Sequence, residues 1–301
     1  MKIRLNPIVR KDLQVAARSM KLSWGVFLYD LVLVLTFLLA MAIIQSEVGS
    51  VYSRDNIYSY LVYLFPVLAI VQIGIVALIV PIITSSSISG EKERQTFDIM
   101  LTTCLSPLRI VWGKVLSGVL RILFYVVAGM PILAISFVVG GMSWANLFYY
   151  LVALTLFAIF SGSIGVMCSA MSRRSITAVI RSFVVYFVIY GLTFLPSLIR
   201  MIYGMDAGES FLFYLFNPGV FFEEFFMQIM TGQSLFDGNN ISSSDVGFFT
   251  GLLSNGTLWM FISGACIILM TVVFLLVAAW MINPMHSYAG RKRRKKKKGT
   301  E

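Results

Sequence analysis

The sequence predicts an all-α integral membrane protein of six transmembrane helices. An N-terminal interfacial elbow helix, a charged cytoplasmic helix between spans two and three, and a short outer-face helix before span six complete the set. Three observations carry this prediction. First, the 301 residues are 58% hydrophobic and only 13% charged, with a mean hydropathy of +0.85. A water-soluble domain of this length cannot bury so much apolar surface. Second, apolar stretches long enough to cross a hydrocarbon core occur at 23–45, 60–83, 115–139, 144–171, 175–199 and 258–282. Third, the basic residues are sorted by topology. Six lie before the first span, five between Lys92 and Arg121, three around the fourth-to-fifth connection (Arg173, Arg174, Arg181) and eight in Arg291–Lys298. Six spans put 22 of the 24 lysines and arginines on one side, leaving only Arg54 and Arg200 on the other. The positive-inside rule then makes both termini cytoplasmic. The net charge of +10 reflects that sorting. Residues 1–290 read as one transmembrane domain and 291–301 as a basic tail.

The elements follow in order. Before the first span, Asn6 suits an N-cap and Pro7 the first helical position. Val9, Leu13, Ala16 and Met20 fall on one face of that helix, and Arg10, Lys11, Gln14, Arg18 and Lys21 on the other. Such a helix lies in the interface plane, greasy side down. Its start has no apolar core of signal-peptide type. Within the spans, Asp30 and Gln72 sit at membrane depth, and Arg121 and Arg181 near the cytoplasmic ends of theirs. An unpaired intramembrane carboxylate is costly, so Asp30 is expected to pair with Arg121 or Arg181, a proton or ion relay being the alternative. Pro131 with Gly129 is expected to kink span three, and Pro196 the end of span five. In span four, Ser161, Gly165 and Ser169 recur every four residues and read as a small-residue packing ridge. The outer face carries a hairpin at Gly140–Ser143 and a long acidic segment, 200–257. Within it, NPGVFFEEFFMQIMTG opens on an Asn-Pro cap and ends at Gly232, with Phe221, Phe222, Phe225 and Ile229 on one face. That is a short helix on, or dipping into, the outer leaflet. The tail RKRRKKKK, without interleaved aromatics for stacking on bases, reads as an anchor touching anionic lipid and not as a nucleic-acid site.

The residues argue against an enzyme. Glu223-Glu224 resembles the paired glutamates of intramembrane CAAX-type proteases, but Gln228 stands where that pattern wants arginine, and the only histidine is His286, beyond the last span. No metal site is expected, since Cys104, Cys168 and Cys266 lack ligand spacing. No phosphate-cradling loop is present either, because Gly113-Lys114 is followed by Val115.

The most distinctive stretch is SGEKERQTFDIMLTT, Ser89–Thr103, which interrupts the apolar run between spans two and three. Read as one helix, Phe97, Met100, Leu101 and Cys104 share a face, and Glu91, Gln95, Asp98 and Thr102 the opposite one, with Pro107 as the stop. This shape presses one side against the membrane helices and presents the other to a partner.

The segment ISGEKERQTFDIMLTTCLSPLRIVWGKVLSG resembles the signature of type-2 ABC exporter permeases. The matching pieces are Glu91-Lys92-Glu93, Thr96, Met100-Leu101, Ser106-Pro107 and Gly113-Lys114, together with the opening Asn6-Pro7, Arg10-Lys11-Asp12-Leu13 and Arg18-Ser19. Gln95 stands where the family usually has glycine. The resemblance implies an exporter subunit working with a separate cytosolic ATPase and with a second permease, either a copy or a homologue. ATP and Mg are then bound by the partner ATPase and no cofactor by this chain. It also implies that Glu91, Glu93, Arg94, Thr96, Phe97, Asp98, Met100, Leu101 and Thr102 form a coupling helix seated on the ATPase, and that Val9–Met20 is the elbow. The expected location is the plasma membrane of a bacterial cell. A stand-alone carrier or channel and a non-transporting scaffold for a soluble partner are the competing readings. Twenty-four phenylalanines suit an amphiphilic or apolar cargo, but equally suit helices that face lipid, so the substrate stays open.

Overall fold

Pro7 opens the first described element, as its missing N–H and fixed φ favour. The computed structural model describes residues 7–50, 60–97, 106–140, 143–203, 214–232 and 256–283. These form α1 (Pro7–Ala17), α2 (Met20–Ser50), α3 (Leu64–Glu93), α4 (Pro107–Val139), α5 (Trp144–Met171), α6 (Ser175–Tyr203), α7 (Pro218–Thr231) and α8 (Gly256–Ile282). Among the described residues there is no strand, and α2, α3, α4, α5, α6 and α8 are long and apolar enough to cross a membrane. Asn6, the basic tail, His286, Arg54 and the segment Asp98–Leu105 lie outside the described residues.

The bundle is built around α5. In its most apolar window 72% of residues are buried, against 17% for α2 and 22% for α6, so α5 is the central post and α2 and α6 stand at the periphery. The predicted small-residue ridge explains how α3 comes so close. A Cβ on Gly165 would lie 2.0 Å from Thr84 Oγ1 and 3.1 Å from the Pro81 carbonyl oxygen. The Ser169 hydroxyl accepts from the backbone N–H groups of Ile88 and Ser89 at 3.0 and 2.8 Å. Backbone contact of this kind replaces the hydrophobic drive that lipid cannot supply.

At mid-bundle, Gln72 is fully buried with a hydrogen bond at each of its polar atoms. Its Nε2 donates to the Tyr29 hydroxyl at 2.7 Å and its Oε1 accepts from Tyr150 at 2.8 Å. Tyr29 in turn stacks on Tyr125, with centroids 6.0 Å apart. One amide therefore joins α2, α3 and α5, with α4 packed behind. A buried side-chain amide left without partners in hydrocarbon would be costly.

Helix α7 begins and ends where the sequence indicates. Asn217 Oδ1 accepts from the Gly219 N–H at 2.8 Å, and Gly232 closes the helix at φ 67°. Its placement corrects the outer-leaflet reading: the helix is driven into the bundle. Phe222 meets Phe157 edge-on at 5.6 Å, and Phe226, outside the predicted face, meets Phe65 edge-on and lies tilted against Tyr150. Five aromatic rings meet there in edge-on, tilted and stacked arrangements, the geometries their quadrupoles favour.

Three further expectations are corrected. Met20 is not part of the first helix: the chain turns at Arg18–Ser19, and Met20 starts α2 with its side chain 77% exposed. Asp30 pairs with neither arginine. Its Oδ1 is buried without a hydrogen-bond partner, Arg181 donates instead to the Met171 carbonyl and the Ser172 hydroxyl, and Arg121 makes no ion pair among the described residues. The register explains this. Tyr29 stacks on Tyr125, which puts Arg121 about a turn nearer the helix start than Asp30, and helical side chains lean toward the N-terminus. Third, the charged segment is not one helix from Glu91 to Thr102, as its geometry below makes plain.

Candidate functional site

Helix α3 does not stop where its apolar stretch ends. It runs on through Ser85–Glu93, and it stops there because the backbone turns left-handed at Gln95, φ 59°. The Gln95 N–H bonds to the Lys92 carbonyl at 3.2 Å and the Thr96 N–H to the Glu91 carbonyl at 3.0 Å. That pair of bonds is the Schellman closure of a helix. Its left-handed position favours glycine, and here glutamine occupies it. Glu91 and Glu93 are therefore the last turn of α3, Arg94 is its cap, and Phe97 follows the turn. The sequence reading put Glu91 and Gln95 on one helical face, which this break overturns. Phe97 is partly buried against the core, with Lys92 Nζ 5.3 Å from its ring centroid. Asp98, Met100, Leu101 and Thr102 lie outside the described residues.

The end of α3 is fastened directly to three neighbouring helices. Lys114 of α4, 6% exposed, reaches Glu91 Oε1 at 2.7 Å and Asp12 Oδ2 of α1 at 3.3 Å. Ser117 donates to the same Asp12 oxygen at 3.2 Å. Lys92 donates to the Ala170 carbonyl at the end of α5. Glu93 accepts from the Ser175 N–H and hydroxyl at 3.0 and 2.7 Å, satisfying the first turn of α6. A single turn thus holds α4, α5 and α6, and Lys114 extends the hold to α1. One cation between two carboxylates leaves a negative charge in excess, and the burial of the lysine makes the pairing geometrically demanding.

The elbow residues divide. Val9 is buried, while Arg10, Lys11 and Arg18 are exposed. Leu13 and Ala16 lie within α1, whose side nearest α4 carries Asp12. Sequence reasoning named Asp12, Glu91 and Lys114 as separate pieces of pattern but missed that they meet. The only signal was that each is an ionisable residue beside an apolar stretch. Between α1, the end of α3 and α4 lies a polar cleft of about 670 Å³.

A family model described as an ABC-2 family transporter protein matches residues 6–284, nearly the whole chain. Among curated proteins, none gives a significant match.

Proposed function

From the premise that this chain belongs to the ABC-2 family of transporter proteins, and so is a multi-pass membrane permease of an ABC transporter, we propose that it is the permease subunit of an ATP-driven exporter. In this reading a separate ATPase subunit, carrying the ATP and Mg, docks on the segment from Arg94 to Thr102 at the cytoplasmic end. Both termini lie on that side, and a second permease, identical or homologous, completes the exporter in the plasma membrane of a bacterial cell.

One observation carries the mechanism: the turn that leads into the docking segment is bonded directly to three other helices, and through Lys114 to α1. Closure of the ATPase would displace residues 94–105, and Glu91, Lys92 and Glu93 would pass that displacement to α4, α5 and α6. Binding free energy in the soluble subunit biases the membrane part only through an element that is stiff and docked. Phe97 braces the turn from within, so in this mechanism it keeps the segment's direction, while Leu101 and the charges of Arg94 and Asp98 face the partner. The cargo class stays unassigned.

The test is co-purification and ATP turnover with the ATPase. Replacing Phe97 and Leu101 together by alanine is expected to reduce recovery of the ATPase at least about tenfold, on the scale of one lost apolar anchor and the brace that positions it, or to leave ATP hydrolysis running without transport. Undiminished recovery and coupling in that double variant would remove the assignment and return the scaffold and carrier readings.

A further inference from the structure

The cleft between α1, α3 and α4 has a composition that no ion pair accounts for. On α4, Lys114, Ser117, Gly118 and Arg121 line it at helical spacing; on α1, Lys11 and Asp12; on α3, the face ending in Glu91. Lys114 is fully engaged with the two acids. Lys11 and Arg121 are in no ion pair among the described residues, and Arg121 Nε is buried without an acceptor. Glu91 has the opposite deficit: Oε1 holds Lys114, while Oε2 is buried with no donor. A buried guanidinium N–H lacking an acceptor and a buried carboxylate oxygen lacking a donor each cost free energy, and both line one space.

We propose that this cleft is a binding site for the headgroup of a membrane phospholipid that carries a donor beyond its phosphate, as phosphoethanolamine and phosphoglycerol do. The order of the groups matches the order of the atoms. Arg121 lies two helical turns deeper along α4 than Lys114 and its partner Glu91. A lipid entering from the leaflet on this side presents its phosphate at the deeper level, to Arg121, and its amine or hydroxyl terminus farther out, to Glu91 Oε2. Lys11, on the exposed rim, adds a second cation toward the phosphate. The guanidinium's fork suits phosphate oxygens. Phosphocholine supplies the phosphate but no N–H or O–H, so Glu91 would discriminate against it. The cleft shares Glu91 with the proposed coupling turn and is also lined by Arg94 and Thr96 of the docking segment, but its test does not depend on that role, because binding is read on the permease alone.

The experiment is native mass spectrometry of the purified full chain in mild detergent, offered equal amounts of phosphatidylethanolamine, phosphatidylglycerol and phosphatidylcholine with identical acyl chains. Retention of the first two over phosphatidylcholine is expected at about tenfold, as one charge-assisted hydrogen bond would give. Arg121→Gln lowers retention of all three. Arg121→Lys, which keeps the charge, retains most of it and controls for misfolding. Glu91→Gln removes the preference while phosphatidylcholine retention is unchanged. Equal retention of the three lipids, or indifference to Arg121→Gln, overturns the proposal. Competition by soluble glycerophosphoethanolamine at concentrations equal to the lipid's overturns the lipid source in favour of a free cytosolic phosphate ester; its failure to compete supports the lipid.

Discussion

Gln95 is the residue whose chemistry and backbone disagree. A left-handed conformation costs a residue with a Cβ about 1 kcal/mol relative to glycine, and the Schellman closure at the end of α3 requires one there. The glycine of the family pattern thus has a physical reason, visible in this chain through its absence. Gln95→Gly is expected to stabilise the protein by up to about 1 kcal/mol, read as a raised thermal midpoint in detergent. A lowered midpoint would mean that the glutamine side chain supports the turn in some other way. Gly165 is the converse case, a residue that tolerates no addition. The Pro81 carbonyl 3.1 Å from its notional Cβ is backbone and cannot swing aside. Gly165→Ala should cost about 1–3 kcal/mol, while the same change at Gly74, whose Cβ meets nothing within 4 Å, should cost far less. The pair of midpoints checks the close approach of α3 and α5 directly.

Between elements, the bond that decides most is the one Lys114 makes to α1 and α3. Removing it by Lys114→Met leaves two carboxylates, 24% and 26% exposed, facing each other without a cation. Their residual contact with water discounts the penalty for an uncompensated buried charge to about 1–3 kcal/mol. Adding Glu91→Gln to that variant should recover part of the loss, and a double-mutant cycle measures the coupling. Additive losses would show that the pair contributes nothing as a pair. This scale is also where sequence stops being sufficient. The spans are legible because each is a long apolar run, and α7 because Asn217 and Gly232 stand at its ends as caps. The hub is not legible, because Asp12 and Lys114 are 102 positions apart and a one-dimensional pattern does not say which helices are neighbours. Asp30 shows the same limit. Matching residues by approximate depth pairs it with an arginine, but the sequence does not give the register between helices, which sets Tyr125 beside Tyr29 and leaves Arg121 about a turn away. The charged segment is misread for a local reason: its amphipathic spacing is real, but one left-handed residue resets the phase.

At the scale of the molecule, the described basic residues other than Arg200, together with the hub, lie at one end of the bundle, the end where α1, the close of α3 and the starts of α4 and α6 meet. The charge distribution predicts that this end faces the cytoplasm. Single cysteines placed at Ser106 and at Ser143, with the native cysteines replaced, test it. In sealed right-side-out vesicles an impermeant maleimide should label the second and spare the first, and the reverse pattern would invert the topology.

The centrality of α5 has a consequence for biosynthesis. Spans enter the bilayer in the order they are made, yet the amide of Gln72 on α3 finds its donor only in Tyr150, and the Ser169 hydroxyl finds its backbone donors only on α3. Until Met171 has left the ribosome, α3 therefore sits in lipid with a polar side chain half answered by Tyr29. A nascent chain halted before α5 displays that amide to the bilayer, and a membrane protease that recognises exposed polar groups at mid-depth would have its signal for an unfinished molecule.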